Sequence, residues 1–211
     1  AMRVDIADVD SAGMNAFEFT GMETGRWAGA EHVQLCEKIL RYADERGSLS
    51  EIFRTEWPTG IAPLQWNLVK SAGNVMRGVH VHPHHVDYLT VAHGTMHIAL
   101  VDMRTDSPTH KLATIVVLTG DDPHTLTIPN GVAHGFWFPA PATFFYAVDH
   151  YWSLADELGC RWDDPELGIP WPATMADPQL SPRDEDAGTF AELQDQFGAA
   201  MTDLNGASTG V

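Results

Sequence analysis

The sequence predicts a mainly β protein built as an antiparallel sandwich or barrel. Between residues 49 and 148, short runs rich in β-branched and aromatic residues are separated by Gly, Pro and Asp, and no helical pattern lies between them. These runs predict strands at 64–69, 87–92, 96–101, 112–118, 125–128 and 143–148. Many short strands at near-regular spacing are typical of closed antiparallel architectures.

Two flanking segments have other patterns. Apolar residues recur at three- and four-residue spacing from Glu31 to Asp44, which predicts a peripheral N-terminal amphipathic helix that ends at Gly47. Residues 153–184 contain five prolines, so we expect an ordered loop that wraps the β region and is pinned by Trp162 and Trp171. A short helix over 190–197 and a frayed tail complete the chain.

The charge balance limits the class of partner. Asp and Glu outnumber Lys and Arg by 29 to 12, so the formal net charge is −17. Such a surface repels nucleic acid and anionic lipid, and we expect neither as a partner. No apolar run approaches the roughly 18 residues of a membrane span. Two cysteines are too few for a disulfide framework, so we expect a cytoplasmic location.

Histidine is unusually frequent, with eleven in the chain. In the extended run 77–85, His80 and His82 point to one side of a strand, while Val79 and Val81 point to the other. About fifty residues later, the Pro-x-Gly turn at 129–131 places His134 at the start of another strand. Two histidine-bearing strands that face each other across a lumen are the arrangement of a cupin-like jelly roll, an antiparallel double-stranded β-helix.

Further motifs resemble, in order and spacing, those of the dTDP-4-dehydrorhamnose 3,5-epimerase family of nucleotide-sugar epimerases. They are DERGSLSE at 44–51, QWN at 65–67, RGVH at 77–80, VDMR with SPT at 101–109, IPNGVAHGF at 128–136, FY at 145–146, YW at 151–152, WDDP to IPWP at 162–172 and LSPRD at 180–184. The resemblance implies a jelly-roll domain over 47–184, preceded by an N-terminal arm and helix over 1–46. A C-terminal short helix and tail over 185–211 follow.

The resemblance also implies an activity and its residues. It assigns epimerisation of a dTDP-linked 4-keto-6-deoxy sugar at C3, C5 or both, without a cofactor. His80 is the general base, Asp184 orients it, and Tyr146 is the acid on the opposite face of the sugar. Base and acid on opposite sides of one pocket are what inversion of a carbon next to a ketone requires.

The remaining implied positions bind the nucleotide and sugar, with an aromatic ring stacked on the base. They are Arg46, Glu51, Gln65, Asn67, Arg77, His134, Trp152, Glu157 and Arg183. We expect a homodimer, in which Arg46 and Glu51 complete the site of the neighbouring subunit.

One departure from the family opens an alternative. Asp87 stands where the family has a lysine, thought to stabilise the enolate, and a carboxylate would repel that oxyanion. A metal-dependent cupin enzyme, an isomerase or oxygenase, would instead hold one divalent ion with His80, His82, Asp87 and His134. This reading conflicts with His80 as a free base. A third hypothesis is a non-catalytic jelly roll that binds a sugar nucleotide.

Overall fold

The computed structural model describes residues 39–153 and 156–208. Eleven β-strands and two α-helices are found in this part of the chain, with a 3-10 turn at Pro165–Leu167. The strands are β1 (Arg41–Asp44), β2 (Gly47–Ser50), β3 (Gln65–Ser71), β4 (Val75–Val81), β5 (Asp87–His93), β6 (Thr95–Asp102), β7 (Ala113–Thr119), β8 (Thr125–Ile128), β9 (Val132–Phe138), β10 (Ala142–Val148) and β11 (Leu158–Gly159). The helices are α1 (Pro182–Glu185) and α2 (Phe190–Ser208).

Two antiparallel sheets form the body of the protein. One has the strand order β3-β10-β5-β8 and the other β11-β4-β9-β6-β7, while β1 and β2 form a separate hairpin. From β3 to β10 the chain crosses between the two sheets at every step except from β6 to β7, which form a hairpin in the larger sheet. This is the winding of a double-stranded β-helix. The predicted fold class is therefore confirmed. Each of the six predicted strands is present, with ends within two residues of the prediction.

Apolar side chains are buried on both faces of the five-stranded sheet. Between the sheets, Leu89 of one packs with Ile98 and Phe138 of the other in a single core cluster. On the outer face, a second cluster joins strand residues to the C-terminal segment; it includes Met76, Val79, Val81, Trp137, Leu167, Phe190, Leu193 and Phe197. The outward valines of β4 are thus covered, and the intervening His80 points inward.

The segment that covers this outer face is ordered, as its tryptophans predict. The rings of Trp162 and Trp171 meet edge to face at 6.2 Å, and Trp171 Nε1 donates to the carbonyl of Trp162 at 3.0 Å. The helix α2 then continues to Ser208, well beyond the predicted short helix. The prediction of a frayed tail from Gly198 is wrong as far as Ser208, because one glycine among good helix formers does not end a helix whose face is packed on the barrel. None of the helices described is long and apolar enough to span a membrane.

The predicted N-terminal helix is wrong in its described part. Residues 41–44 form the strand β1 and pair with β2, and Gly47, with φ of 133°, closes the turn between them. Arg41 anchors this hairpin by donating to the carbonyl of Asp121 at 3.1 Å. Contacts to the barrel thus override the local helical periodicity. The rest of the predicted helix, 31–38, lies outside the described residues.

A buried carboxylate braces the turn that follows β6. Asp102 is fully buried and accepts hydrogen bonds from Arg104 Nε at 2.8 Å and from the hydroxyls of Ser107 at 2.5 Å and Thr109 at 2.6 Å. Burial raises the pKa of Asp102, but these donors outweigh it and hold the pKa at about 2. The VDMR and SPT motifs therefore form one structural network.

Replacing this carboxylate should lower stability. Because the folded pKa lies below the ordinary value of about 3.9, Asp102 contributes about 2–3 kcal/mol at neutral pH, and this contribution is lost as the pH falls from about 4 through about 2. Asp102→Asn should lower the free energy of unfolding by a similar amount, measured by urea denaturation at pH 7. The control Asp106→Asn changes an exposed carboxylate in the same turn. Equal losses in both variants would contradict the role of the network.

Candidate active site

The inward face of β4 carries the first candidate catalytic group. His80 lies opposite His134 in the register of β4 and β9, and β11 flanks it through Gly159. His80 Nε2 lies 2.7 Å from Asp184 Oδ1. The two residues are separated by 104 positions in the chain, and the C-terminal segment on the outer face brings them together.

The helix α1 positions the carboxylate of this pair. Ser181 caps the helix, and its hydroxyl donates to Asp184 Oδ2 at 2.9 Å, while the amide of Gly78 donates to the same oxygen at 3.4 Å. Burial raises the pKa of Asp184, but the hydrogen bonds from His80, Ser181 and Gly78 outweigh it and keep that pKa below its ordinary value. Asp184 is therefore an anion that accepts from the imidazole.

A carboxylate and a guanidinium both contact the imidazole. Arg183 Nη2 lies 2.9 Å from His80 Nδ1 and also contacts Nε2, so its contacts do not distinguish the two tautomers. Asp184 only accepts and faces Nε2. This pair places the proton on Nε2 and leaves the lone pair on Nδ1.

Tyr146, the predicted acid, lies inside the same barrel and packs against the core between the sheets. It lies on β10, opposite Asn67 of β3. Burial raises the pKa of its phenol, and the negative charges of Asp87 and Glu157 raise it further, while Arg77 opposes them. These electrostatic interactions place Tyr146 near all three charged side chains, and the phenol keeps its proton at neutral pH.

A chain of hydrogen bonds links five of the predicted binding residues at the pocket. Gln65 Nε2 donates to Asn67 Oδ1 at 2.9 Å, and the amide of Trp152 donates to Gln65 Oε1 at 3.1 Å. The indole of Trp152 and the guanidinium of Arg183 both donate to Glu157. The indole face is partly exposed and available for stacking.

Two predicted binding residues, Arg46 and Glu51, lie away from His80 in the same chain. Arg46 is 84 % exposed in the turn between β1 and β2, where it pairs with Asp44. Glu51 pairs with Arg54 at 2.5 Å, next to the same hairpin. Neither residue contacts the pocket around His80 in the described structure.

A second cluster surrounds Asp87. Its Oδ2 atom lies 3.6 Å from Nε2 of His85 and 3.8 Å from Nε2 of both His82 and His134. Each of the four side chains is at most 8 % exposed. All three separations are too long for hydrogen bonds, and Oδ2 has no hydrogen-bond partner among the described residues. Burial lowers the pKa of His82 and lowers that of His134 to about 4, and it raises the pKa of Asp87.

The composition of this cluster differs from the ligand set predicted for a metal. His82, Asp87 and His134 do converge, but Nε2 of His80 is held by Asp184 and stays apart from them. Sequence reasoning missed His85 as a member. The run HPHH at 82–85 contained the signal, because a turn after the strand brings the last histidine back beside the first.

Comparison with known proteins found relatives of this chain. Residues 32–192 match the family model described as dTDP-4-dehydrorhamnose 3,5-epimerase. A dTDP-4-dehydrorhamnose 3,5-epimerase of Streptomyces griseus is 33% identical over 72% of this chain and 80% of its own length. One of Neisseria gonorrhoeae is also 33% identical, over 74% of this chain, and here the chain spans about half of the relative, 51%.

A solved structure shares the fold. NovW of Streptomyces spheroides, a 4-keto-6-deoxy sugar epimerase from the novobiocin biosynthetic gene cluster, superposes with a TM-score of 0.72 at 28% identity, over 85% of this chain and 90% of that one. Residues 32–192, which match the family model, contain both sheets and the His80–Asp184 pair. With the family model matching over residues 32–192, this chain belongs to the dTDP-4-dehydrorhamnose 3,5-epimerase family.

Proposed function

We propose that this protein epimerises a dTDP-linked 4-keto-6-deoxy sugar at C3, C5 or both. The observation that carries the proposal is the His80–Asp184 pair, which faces a pocket that also contains the protonated phenol of Tyr146. The named relatives act as dTDP-sugar epimerases, which supports the same reaction class here. The exclusion of nucleic acid and membranes and the cytoplasmic location stay predictions.

Proton removal is the task of His80. Its Nδ1 atom has the free lone pair, and Asp184 stabilises the imidazolium that forms when Nδ1 takes the proton from the carbon beside the ketone. In the structure without substrate, Arg183 donates to this atom. Recruitment of Arg183 by the substrate diphosphate would release the base.

Proton return is the task of Tyr146. A phenol with a raised pKa is protonated at neutral pH and can deliver its proton to the enolate carbon from the other face of the sugar. Return to the opposite face inverts the carbon. The same two groups also argue against a non-catalytic sugar-nucleotide-binding role, because binding alone needs neither a polarised imidazole nor a buried phenol.

The nucleotide needs a local positive site on this strongly acidic protein. Arg77 and Arg183 lie beside the pocket and supply charge-assisted contacts for the diphosphate. Trp152 offers its ring to the base, and Gln65, with its partner Asn67, offers amide groups for the sugar and the base. His134 lies beside His80 on the neighbouring strand of the same sheet, so the prediction that the two histidine-bearing strands face each other across a lumen is wrong.

A second copy of the chain would complete the site. The edge strand β3 presents Trp66 and Leu68 outward to solvent, and Leu64, just before the strand, is exposed beside them. Each of the three is at least 41% exposed. A continuous apolar stripe on an edge strand is typical of an interface. Arg46, in the turn between β1 and β2, is 84 % exposed and pairs only with Asp44 of its own hairpin among the described residues, so a neighbouring subunit could engage it. We therefore infer a homodimer with shared sites.

The assignment of the base is tested by His80→Ala. Loss of a positioned proton-transfer group should lower turnover by about 10²–10⁴ while the fold and dTDP affinity stay intact. The measurement is solvent-deuterium incorporation into a dTDP-4-keto-6-deoxy sugar. His97→Ala, on β6 beside Trp137, is the matched control and should exchange normally. Near-normal exchange in His80→Ala would remove His80 from the role of base.

Binding of dTDP tests the nucleotide pocket. Loss of stacking in Trp152→Ala should weaken binding by about 1–3 kcal/mol, measured by calorimetry. Tyr151→Ala removes the adjacent, more exposed aromatic ring and should bind as the wild type does. Arg77→Ala should also weaken binding, in contrast to Lys70→Ala on the outward face of β3. If the wild type does not bind dTDP, the proposed nucleotide site is wrong.

Oligomeric state tests the shared site. Leu68→Asp places a charge on the apolar stripe and should give monomers in sedimentation velocity, whereas Thr202→Asp on the exposed face of α2 should not. Mixing inactive Arg46→Ala and His80→Ala chains should restore about a quarter of wild-type activity, because half of the randomly formed dimers then hold one intact site. No recovery on mixing would show that Arg46 acts within its own chain or not at all.

A further inference from the structure

The three histidines around Asp87 are held in one tautomer by their outer hydrogen bonds. Nδ1 of His82 lies 3.2 Å from the carbonyl of Asp156, and Nδ1 of His85 lies 2.7 Å from the carboxylate of the same residue. Nδ1 of His134 lies 3.1 Å from the carbonyl of Val132. Carbonyl and carboxylate oxygens only accept, so each Nδ1 donates and each Nε2 holds a free lone pair.

Groups that only accept face one another here. Three Nε2 lone pairs and the unpartnered Oδ2 of Asp87 converge, and each of the four side chains is at most 8 % exposed. A proton on the carboxyl could satisfy at most one nitrogen, and the separations of 3.6–3.8 Å are too long even for that. A buried polar group without a partner is costly, whereas one cation between His82, Asp87 and His134 would give Oδ2 a partner.

The spacing fits a metal ion. The ligand atoms of His82, Asp87 and His134 all lie within 4.8 Å of one another. Two ligands bound at about 2.1 Å in a tetrahedral arrangement are about 3.4 Å apart, close to the 3.8 Å observed here. The outer hydrogen bonds on Nδ1 are those that orient histidines at metal centres. His85 packs on this set, with its ring stacked on that of His82 at 3.9 Å.

The geometry points to a site for one divalent transition-metal ion, formed by Nε2 of His82, Oδ2 of Asp87 and Nε2 of His134. Two imidazoles and one carboxylate suit Zn²⁺ or Fe²⁺ and leave coordination positions for a substrate oxygen. His80 is not a ligand in this site. A metal ion can therefore be bound while His80 stays free to act as the base. The ligand set predicted from sequence did not allow this, because it included His80.

The role of the ion rests on the proposed function. His134 pairs with His80 in the register of β4 and β9, and the charge of Asp87 acts on Tyr146, so the site neighbours both proton-transfer groups. When His80 takes the proton, the C–H electron pair forms the C=C bond and the carbonyl π pair moves to the oxygen. A metal ion at this site stabilises that oxyanion as a Lewis acid. Proton return from Tyr146 reverses the electron movement, and no oxidant or reductant is needed.

Metal binding is tested first, independently of activity. Protein without a histidine tag is stripped with a chelator and titrated with Co²⁺, followed by visible absorption and elemental analysis. We expect about one Co²⁺ per chain, with ligand-field bands of a nitrogen- and oxygen-bound ion. His82→Phe keeps the ring stack but removes the ligand atom, and it should bind Co²⁺ at least about 100-fold more weakly. Asp87→Ala should do the same, and the matched control His97→Phe should bind normally.

Catalysis is tested second, by deuterium exchange with stripped and Zn²⁺-, Co²⁺- or Fe²⁺-loaded protein. Exchange should fall about 10²–10³-fold on stripping and return on loading. No metal binding by the folded wild type, or equal binding by His82→Phe and Asp87→Ala, overturns the site. Equal exchange by stripped and loaded protein overturns the Lewis-acid role but leaves the epimerase proposal standing. Metal binding without exchange on any dTDP-4-keto-6-deoxy sugar would refute the epimerase proposal instead.

Discussion

The two faces of β4 are the constraint on which the rest of the structure depends. Because successive side chains of a strand alternate, Val79 and Val81 must be covered outside whenever His80 is presented inside. The C-terminal segment provides that cover, and it carries Asp184 to the inner edge of the sheet. Burial of two valines and orientation of one imidazole are therefore parts of the same packing arrangement.

The pocket contains two histidine–carboxylate arrangements with opposite electrostatic character. Around Asp184 every acceptor has a donor, so the carboxylate is stable as an anion although it is buried. Around Asp87 the donors point away, towards Asp156 and Val132, and only acceptors face the centre. The first arrangement suits a residue that holds a proton acceptor in place. In the second, Oδ2 of Asp87 has no donor among the described residues, and the proposed cation would balance it.

Motifs that resemble one family do not all serve the site. The segment at 101–109 folds into the Asp102 network and braces a turn, and the segment at 44–51 forms a hairpin at the surface. Within one chain, neither segment contributes a side chain that contacts His80 in the described structure. The hairpin is anchored to the loop at 120–123, and neither Arg46 nor Glu51 contacts the surroundings of His80 in the described structure.

The sequence by itself determined the β architecture, because short runs of β-branched and aromatic residues separated by turn residues are local signals. It also determined which side of β4 bears the histidines, and the spacing of motifs identified the family. Only the tertiary structure decided that residues 41–44 form a strand, since contacts with the loop at 120–123 outweigh their helical periodicity. It likewise decided which histidines meet Asp87. The turn after β4 brings His85 beside His82. Asp184, 104 positions after His80, hydrogen-bonds to His80 and keeps it out of the cluster around Asp87. Such pairings depend on how distant segments pack together in the folded barrel, which no local sequence pattern encodes.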